Sequence, residues 1–482
     1  MMENTNKAAA LQAIDEKAPL ICKVSDGVWD CAELSLKEYK SAALYCQALE
    51  EEGFQVEKGI CGIPTAFSAS YGSGKPVIGI LAEYDALSGL SQQNGVTHPA
   101  ELEKGGCGHG CGHNLLGAGA MAAALAVKSY LQAAGKPGTV VLYGCPGEEG
   151  GAAKAFMARE KLWCGLDAAL TWHPEDVNEV VTGSSNSCIQ VQYKFKGVAA
   201  HAAGEPERGR SALDAVELMN IGVQFLREHM GEKARIHYAV TDAGGCSPNV
   251  VQPAASVLYM VRSNKVSEAV ELQARVDKIA QGAALMTETA YDRVFIDGLA
   301  DTVPNHTLEK VLYRNFAQLG VPAHTPAEHA FADELAATYE KGGAPSGTGA
   351  KFDADIARQV KAQQAAMGHA MNDFLMPAYH GYAFSPGSTD VGDVSWQTPT
   401  GQIHVAAWPD GIPGHSWQTV ACGKTSIAHK ALLHAGKVLA GAAIDLLESS
   451  QLLEQAKAEF AEATASGYVC PIPPDAVPTL VE

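Results

Sequence analysis

Two thiols and two imidazoles fall within the run Cys107-Gly108-His109-Gly110-Cys111-Gly112-His113, and glycine separates each from the next. Cysteine sulfur and histidine nitrogen are soft and borderline metal ligands. Glycine lets the backbone fold tightly enough for near neighbours to reach one ion. The residues that follow, Leu115 to Ala124, are apolar or small and read as the start of a buried helix. A Cys/His cluster at the mouth of a buried helix suits an active site. The same residue types also allow a redox pair or a reduced, inert loop.

Three more segments carry ligand-type residues. In Pro146-Gly147-Glu148-Glu149-Gly150 adjacent carboxylates point in different directions if the chain is extended. One can then bind metal while its neighbour faces a water. The bland reading is a solvated acidic turn. Trp172-His173-Pro174-Glu175 and Gly414-His415-Ser416-Trp417 each hold one histidine, and each taken singly also fits a structural histidine. Counted together, Cys111, His113, Glu149, His173 and His415 make five ligands. Four close one tetrahedral zinc, whereas five suit two ions with open positions. Two such ions can share a water, lower its pKa and polarise a carbonyl, with Glu148 as the general base beside them.

The elements around these residues predict that they converge. Lys75 to Ala82, Gly138 to Gly144 and Ala168 to Trp172 are short, mostly apolar runs bounded by turn residues. Such runs fit strands covered on both faces. A helix over Leu115 to Ala134 lies between the first two, giving a βαβ layer and a largely parallel sheet. The Glu148–Glu149 and His173 segments follow two of these strands, and ligands at the carboxyl ends of parallel strands meet in space. Leu11 to Gly53 reads as helical, and Ser426 to Ser449 as the last long helix.

Near residue 187 the pattern changes to strict alternation in Ile189 to Lys196. A helix over Ser211 to Met230, strands over Ala234 to Val240 and Ala255 to Arg262, a helix over Val266 to Thr289 and a strand over Asp292 to Asp297 complete the order β-α-β-β-α-β. That is the ferredoxin-like plan. The expected fold is therefore an α/β catalytic domain, residues 1–187 and 302–482, with a ferredoxin-like α+β domain inserted at 188–301. Residues 335–385 read as an insertion, and Lys341 to Gly349 is too rich in Gly and Pro for regular structure. The tail from Cys470 is expected to lie extended on the surface.

Composition narrows the partners. Lys and Arg total 35 against 54 Asp and Glu, a formal charge of −19. This argues against nucleic acid or an anionic membrane surface. The N-terminal residues lack the apolar core of a signal peptide, and no purely apolar run reaches the roughly 18 residues of a membrane span. The 12 cysteines are scattered from Cys22 to Cys470 and read as reduced thiols, so a cytoplasmic protein is expected.

In combination, His109 to Gly117, Gly147-Glu148-Glu149-Gly150, Thr171-Trp172-His173-Pro174 and Gly414-His415-Ser416-Trp417 resemble the amidohydrolase branch of the M20 metallopeptidase family. That branch includes aminoacylase-like enzymes and auxin-conjugate hydrolases. The likeness runs nearly end to end, as far as Ser388 to Trp396. It implies two divalent ions, Mn²⁺ or Zn²⁺, held by Cys111, His113, Glu149, His173 and His415, with Glu148 as base. It favours Cys111 and His113 over Cys107 and His109, because the second pair adjoins Asn114-Leu115-Leu116-Gly117. Glu83 and Asp85 are then carboxylates behind the ligands.

The resemblance also implies that the inserted domain mediates dimerisation. His201 would cross the dimer to polarise the scissile carbonyl. Asn249 and Arg262 would hold the substrate's carboxylate, for which a guanidinium fork is well suited. The implied reaction cleaves the amide bond of an N-acyl amino acid, with an aroylated glutamate favoured. Alternatives are a dipeptide, an auxin conjugate, or a chain active only with a related partner chain. The expected partner is a second copy or that related chain.

Overall fold

The computed structural model describes residues 5–342 and 346–480. The chain forms two compact units. The first comprises Met1–Gly183, Val303–Phe384 and Val394–Tyr468, and the second Ser184–Thr302, Ser385–Asp393 and Val469–Glu482. Two short segments thus join the second unit although the sequence places them with the catalytic domain.

The first unit is built on a seven-stranded sheet. Its strands are Gln55–Lys58 (β1), Phe67–Ser73 (β2), Val77–Ala82 (β3), Gly138–Gly144 (β4), Ala168–Glu175 (β5), Glu179–Val180 (β6) and Thr400–Ala406 (β7). Their spatial order is β1-β2-β4-β3-β5-β7-β6. The four strands β4, β3, β5 and β7 run parallel. Antiparallel strands flank them on both sides. Central parallel strands are covered on both faces, which is why their sequences are continuous apolar runs rather than alternating ones.

Helix His113–Ala134 (α3, after Thr5–Cys31, α1, and Tyr39–Glu51, α2) lies at the centre of the core, with His113 to Val127 all buried. Among the described residues it is the one helix apolar and long enough to cross a membrane, but it serves as a core helix. Its small residues permit close packing. A Cβ on Gly119 would lie 2.6 Å from Trp172 Nε1, and that indole N–H instead donates to the Leu116 carbonyl at 2.8 Å. The long helix Ser426–Glu448 packs beside α1 and α3.

Three expectations need correction. The helical pattern over Leu11 to Gly53 is broken: Ala32 and Leu36 take left-handed φ values of 40° and 60°, and the chain turns between α1 and α2. Within the expected insertion, Thr348–Phe352 and Ala354–Met367 are helices; the second starts at Asp353, whose carboxylate accepts from the N–H groups of Asp355 and Ile356. Of the Gly/Pro-rich stretch, Gly343 to Pro345 lie outside the described residues. In the tail, Pro471 and Ile472 are buried rather than on the surface, and a Cβ on Gly298 would meet Pro471 at 2.9 Å.

The second unit has four antiparallel strands in the order Ala290–Leu299, Ser187–Lys196, Ala254–Ser263, Arg235–Asp242. Helices Ala212–Arg227 and Val266–Thr287 pack on this sheet. Val191, Tyr193 and Phe195 alternate into a core with Val216, Met219 and Val276. This is the ferredoxin-like plan.

Candidate metal centre

Because β4, β3, β5 and β7 are parallel neighbours, their carboxyl ends lie side by side. Glu83 and Asp85 follow β3, and Glu148 and Glu149 follow β4. His173 lies in the last residues of β5, not beyond it as expected, and it is paired in register with His404 of β7. His415 lies in the loop after β7, with a left-handed φ of 52°. Cys111 and His113 arrive at the start of α3. Gly112 between them has φ 75°, and a Cβ there would lie 2.7 Å from Pro174 Cγ and 2.9 Å from Trp408. Only glycine lets this loop sit against the end of β5.

Donor atoms of Cys111, His113 and His173 lie within 4.8 Å of one another, and so do those of Cys111, Glu149 and His415. Cys111 Sγ is 3.3 Å from His173 Nε2, and Glu149 Oε1 is 3.2 Å from His415 Nε2. Glu83, His113 and Glu148 form a third such group. His113 Nε2 stands 3.3 Å from Glu83 Oε2 and 4.0 Å from Glu148 Oε2. The fold therefore brings together all five expected ligands with Glu148 and Glu83 beside them. His113 is fully buried whereas the His415 side chain is 54% exposed, so the cluster opens to solvent on the His415 side.

Asp85 organises the cluster. Its Oδ1 is 2.8 Å from His113 Nδ1, and its Oδ2 accepts from Ser35 Oγ at 2.7 Å and from the Glu149 N–H at 3.0 Å. With Nδ1 turned to Asp85, His113 presents Nε2 to the other donors. Glu83 is closer than an outer carboxylate, since it faces that same Nε2 while its other oxygen takes Lys154 Nζ at 2.7 Å.

Divalent metal ions fit this donor set. His113 Nε2 and Glu149 Oε1 are buried without a hydrogen-bond partner, and a cation satisfies both. Burial pushes the Cys111 thiol well above the usual range, only partly offset by His113. It becomes a thiolate ligand when a cation is there to stabilise it. Burial lowers His173, with Glu175 opposing, which favours the neutral, ligating imidazole. Burial works against charge on His113 too, but Cys111 and Asp85 outweigh it and raise its pKa.

The first Cys-Gly-His goes elsewhere. His109 is buried with Nε2 3.0 Å from the Val28 carbonyl, and burial lowers it to about 4. Cys107 is half-buried. Neither belongs to a donor group among the described residues.

Some residues of the site escaped the sequence reading. Glu38, from the turn between α1 and α2, is buried and accepts from the N–H groups of Leu36 and Gly147, both at 2.8 Å. Burial and the nearby Asp85 push it up to about 8. Lys154 is wholly buried against Glu83. Its lone charge in Ala152-Ala153-Lys154-Ala155-Phe156 is the signal by which it could be found; Ser35 and Glu38 give no such signal inside an apparently continuous helical pattern.

His201, Asn249 and Arg262 lie in the second unit, whereas every ligand candidate lies in the first. His201 is exposed, and its Nδ1 accepts from the N–H groups of Ala203 and Gly204 at 3.2 and 3.0 Å. Asn249 is exposed, and its carbonyl accepts from the Ala202 N–H. Arg262 is half-buried and donates from Nη1 to Ser388 Oγ at 2.8 Å.

Comparison with known proteins supplies a context for this geometry. The family model described as peptidase family M20/M25/M40 matches residues 79–400. The chain is 44% identical over 477 residues to the B-type subunit of p-aminobenzoyl-glutamate hydrolase from Escherichia coli K12, covering 97% of both chains. It is 28% identical over 242 residues to the A-type subunit of that hydrolase from the same organism, covering 48% of this chain and 54% of that one. Among solved structures, a dinuclear metal-binding peptidase of the M20 family from Bacillus subtilis superposes with a TM-score of 0.53 at 18% identity, covering 89% of this chain and 99% of that one.

Proposed function

This chain belongs to peptidase family M20/M25/M40, and from that premise we propose that it hydrolyses p-aminobenzoyl-glutamate to p-aminobenzoate and glutamate. The observation that carries the reading is the sharing of Cys111 between two donor groups, one with His113 and His173 and one with Glu149 and His415. The substrate is carried over from the relative that matches over 97% of the chain.

Cys111, His113, Glu149, His173 and His415 would hold two divalent ions. Bound there, such ions supply Lewis-acid polarisation of the amide carbonyl and acidification of a water. Glu148 takes a proton from the attacking water and delivers it to the departing amine nitrogen. Asp85 grips both the His113 ring and the Glu149 backbone, so base and ligand keep fixed directions on adjacent residues. His201 would reach the scissile carbonyl oxygen in the neighbouring subunit, and Arg262 with Asn249 would hold the substrate's carboxylate. A single thiolate among nitrogen and oxygen donors favours Zn²⁺ over Mn²⁺.

The similarity to both a B-type and an A-type chain supports an A-type chain as partner, with a second copy as the alternative. The edge strand Arg235–Asp242 leaves Tyr238 and Val240 exposed, a surface suited to another chain.

The test uses the purified single chain, loaded with Zn²⁺ or Mn²⁺, on p-aminobenzoyl-glutamate, other N-acyl amino acids, dipeptides and an auxin conjugate, with and without an A-type chain. The reading expects the highest kcat/KM on p-aminobenzoyl-glutamate. A preference for dipeptides or the auxin conjugate would overturn the substrate, and no hydrolysis by the metal-loaded pair of chains would overturn the activity. Masking the substrate's α-carboxylate as an amide should cost wild type heavily and Arg262→Ala little.

A further inference from the structure

A second group of donors stands apart from the Cys111 cluster. His324 precedes helix Pro326–Ala336, His329 lies in it, and His369 and Asp373 follow helix Ala354–Met367. Asp373 gathers the three rings. His324 Nδ1 is 2.7 Å from Oδ1, His329 Nε2 is 2.7 Å from Oδ2, and His369 Nε2 is 3.7 Å from the same Oδ2. The His329 and His369 rings stack at 3.8 Å and 12°. The His324 side chain is 1% exposed and the other three are 17–24% exposed.

We propose that His324, His329, His369 and Asp373 bind one further divalent transition-metal ion, of the zinc class, which clamps the Pro326–Ala336 helix to the segment after Ala354–Met367. Three observations carry this. The donor atoms of His324, His329 and Asp373 lie within 4.8 Å of one another. Tetrahedral coordination with ~2.0 Å bonds sets donors roughly 3.3 Å apart, and the separations of 2.7 and 3.7 Å bracket that spacing. His324 Nε2 and His369 Nδ1, the ring nitrogens turned away from Asp373, are buried without a hydrogen-bond partner, so neither ring is drawn off toward another acceptor. Imidazole and carboxylate together suit zinc and its neighbours rather than the hard ions Mg²⁺ and Ca²⁺.

The clamp would give the Gly/Pro-rich insertion a purpose. Asn372, next to Asp373, donates to the Asp176 carbonyl at 2.8 Å and to Asp410 Oδ1 at 2.9 Å. Asp176 lies just past His173, and Asp410 just before His415. Holding Asp373 therefore steadies the segments that carry two active-site ligands.

Elemental analysis and thermal unfolding of the full chain test the proposal independently of catalysis. A Cys111→Ser, His113→Ala, Glu149→Gln variant disables the first cluster, because each of its three donor groups loses at least one ligand. After equilibration with micromolar free Zn²⁺ it should retain one ion per chain and gain thermal stability from added Zn²⁺. Adding His329→Gln and His369→Gln should remove both the ion and the gain. If those added changes prevent folding, judged by circular dichroism, the ion count of the first variant decides. No bound zinc in that variant, or zinc unchanged after both histidines are replaced in a folded chain, would reduce the cluster to hydrogen-bonded ion pairs and overturn the proposal. Failure of the proposed hydrolysis would leave the count at one.

Discussion

Cys107-Gly108-His109 and Cys111-Gly112-His113 are the same tripeptide four residues apart, yet the fold uses them differently. The second begins α3 beside the end of β5, where Cys111 Sγ comes within 3.3 Å of His173. The first turns back along the α1 side, where His109 meets the Val28 carbonyl and Gly108 bridges to Leu87. Residue type and local spacing are equal in the two copies. What separates them is which parallel strand ends each backbone reaches.

The largest expected effect tests that contrast directly. Cys111→Ser with His113→Ala should lose bound metal and drop amide hydrolysis to background, while Cys107→Ser with His109→Gln should keep both near wild type. Equal losses in metal content from the two pairs would erase the distinction.

The paired glutamates sharpen it. Glu148→Gln should keep the metal and lose roughly 10²–10⁴-fold in kcat, the usual contribution of a general base. Glu149→Gln should lose metal as well, read by elemental analysis beside steady-state kinetics. The reverse pattern would exchange the two roles. Asp85→Asn comes next. It leaves the ligands in place but loosens the His113 ring and the Glu149 backbone, and should weaken metal binding about 10–100-fold in a competition titration. Wild-type affinity would mean that Asp85 orients nothing that matters to the ion.

The smallest effect belongs to the first copy. His109→Ala removes one of two hydrogen bonds to the Val28 carbonyl, which keeps the Ala32 N–H at 3.1 Å, and should cost about 0.5–1.5 kcal/mol in urea unfolding with metal content intact. A loss of metal without a loss of stability would place His109 among the ligands.

Much of this arrangement is legible in the sequence, for identifiable reasons. Buried parallel strands write themselves as apolar runs, so β3, β4 and β5 and the acids and histidine at their ends could be found. The half-exposed sheet of the second unit writes period-two alternation, and Ile189 to Lys196 displays it. The turn carrying Ser35 and Glu38 is hidden because Ala32 and Leu36, not glycines, adopt left-handed φ. The helices over 348–367 follow a Gly/Pro-rich stretch that masks them. The His324–Asp373 cluster is assembled from residues about fifty positions apart, with no local motif to announce it.

The central claim, that amide hydrolysis depends on divalent metal held at the Cys111 cluster, is tested most directly by chelation and reconstitution of the single chain, with metal content and p-aminobenzoyl-glutamate hydrolysis measured on the same samples. The account predicts that stripping the ions abolishes hydrolysis and that Zn²⁺ or Mn²⁺ restores it in wild type but not in Cys111→Ser with His113→Ala. Full hydrolysis by a chain shown to be metal-free would contradict it.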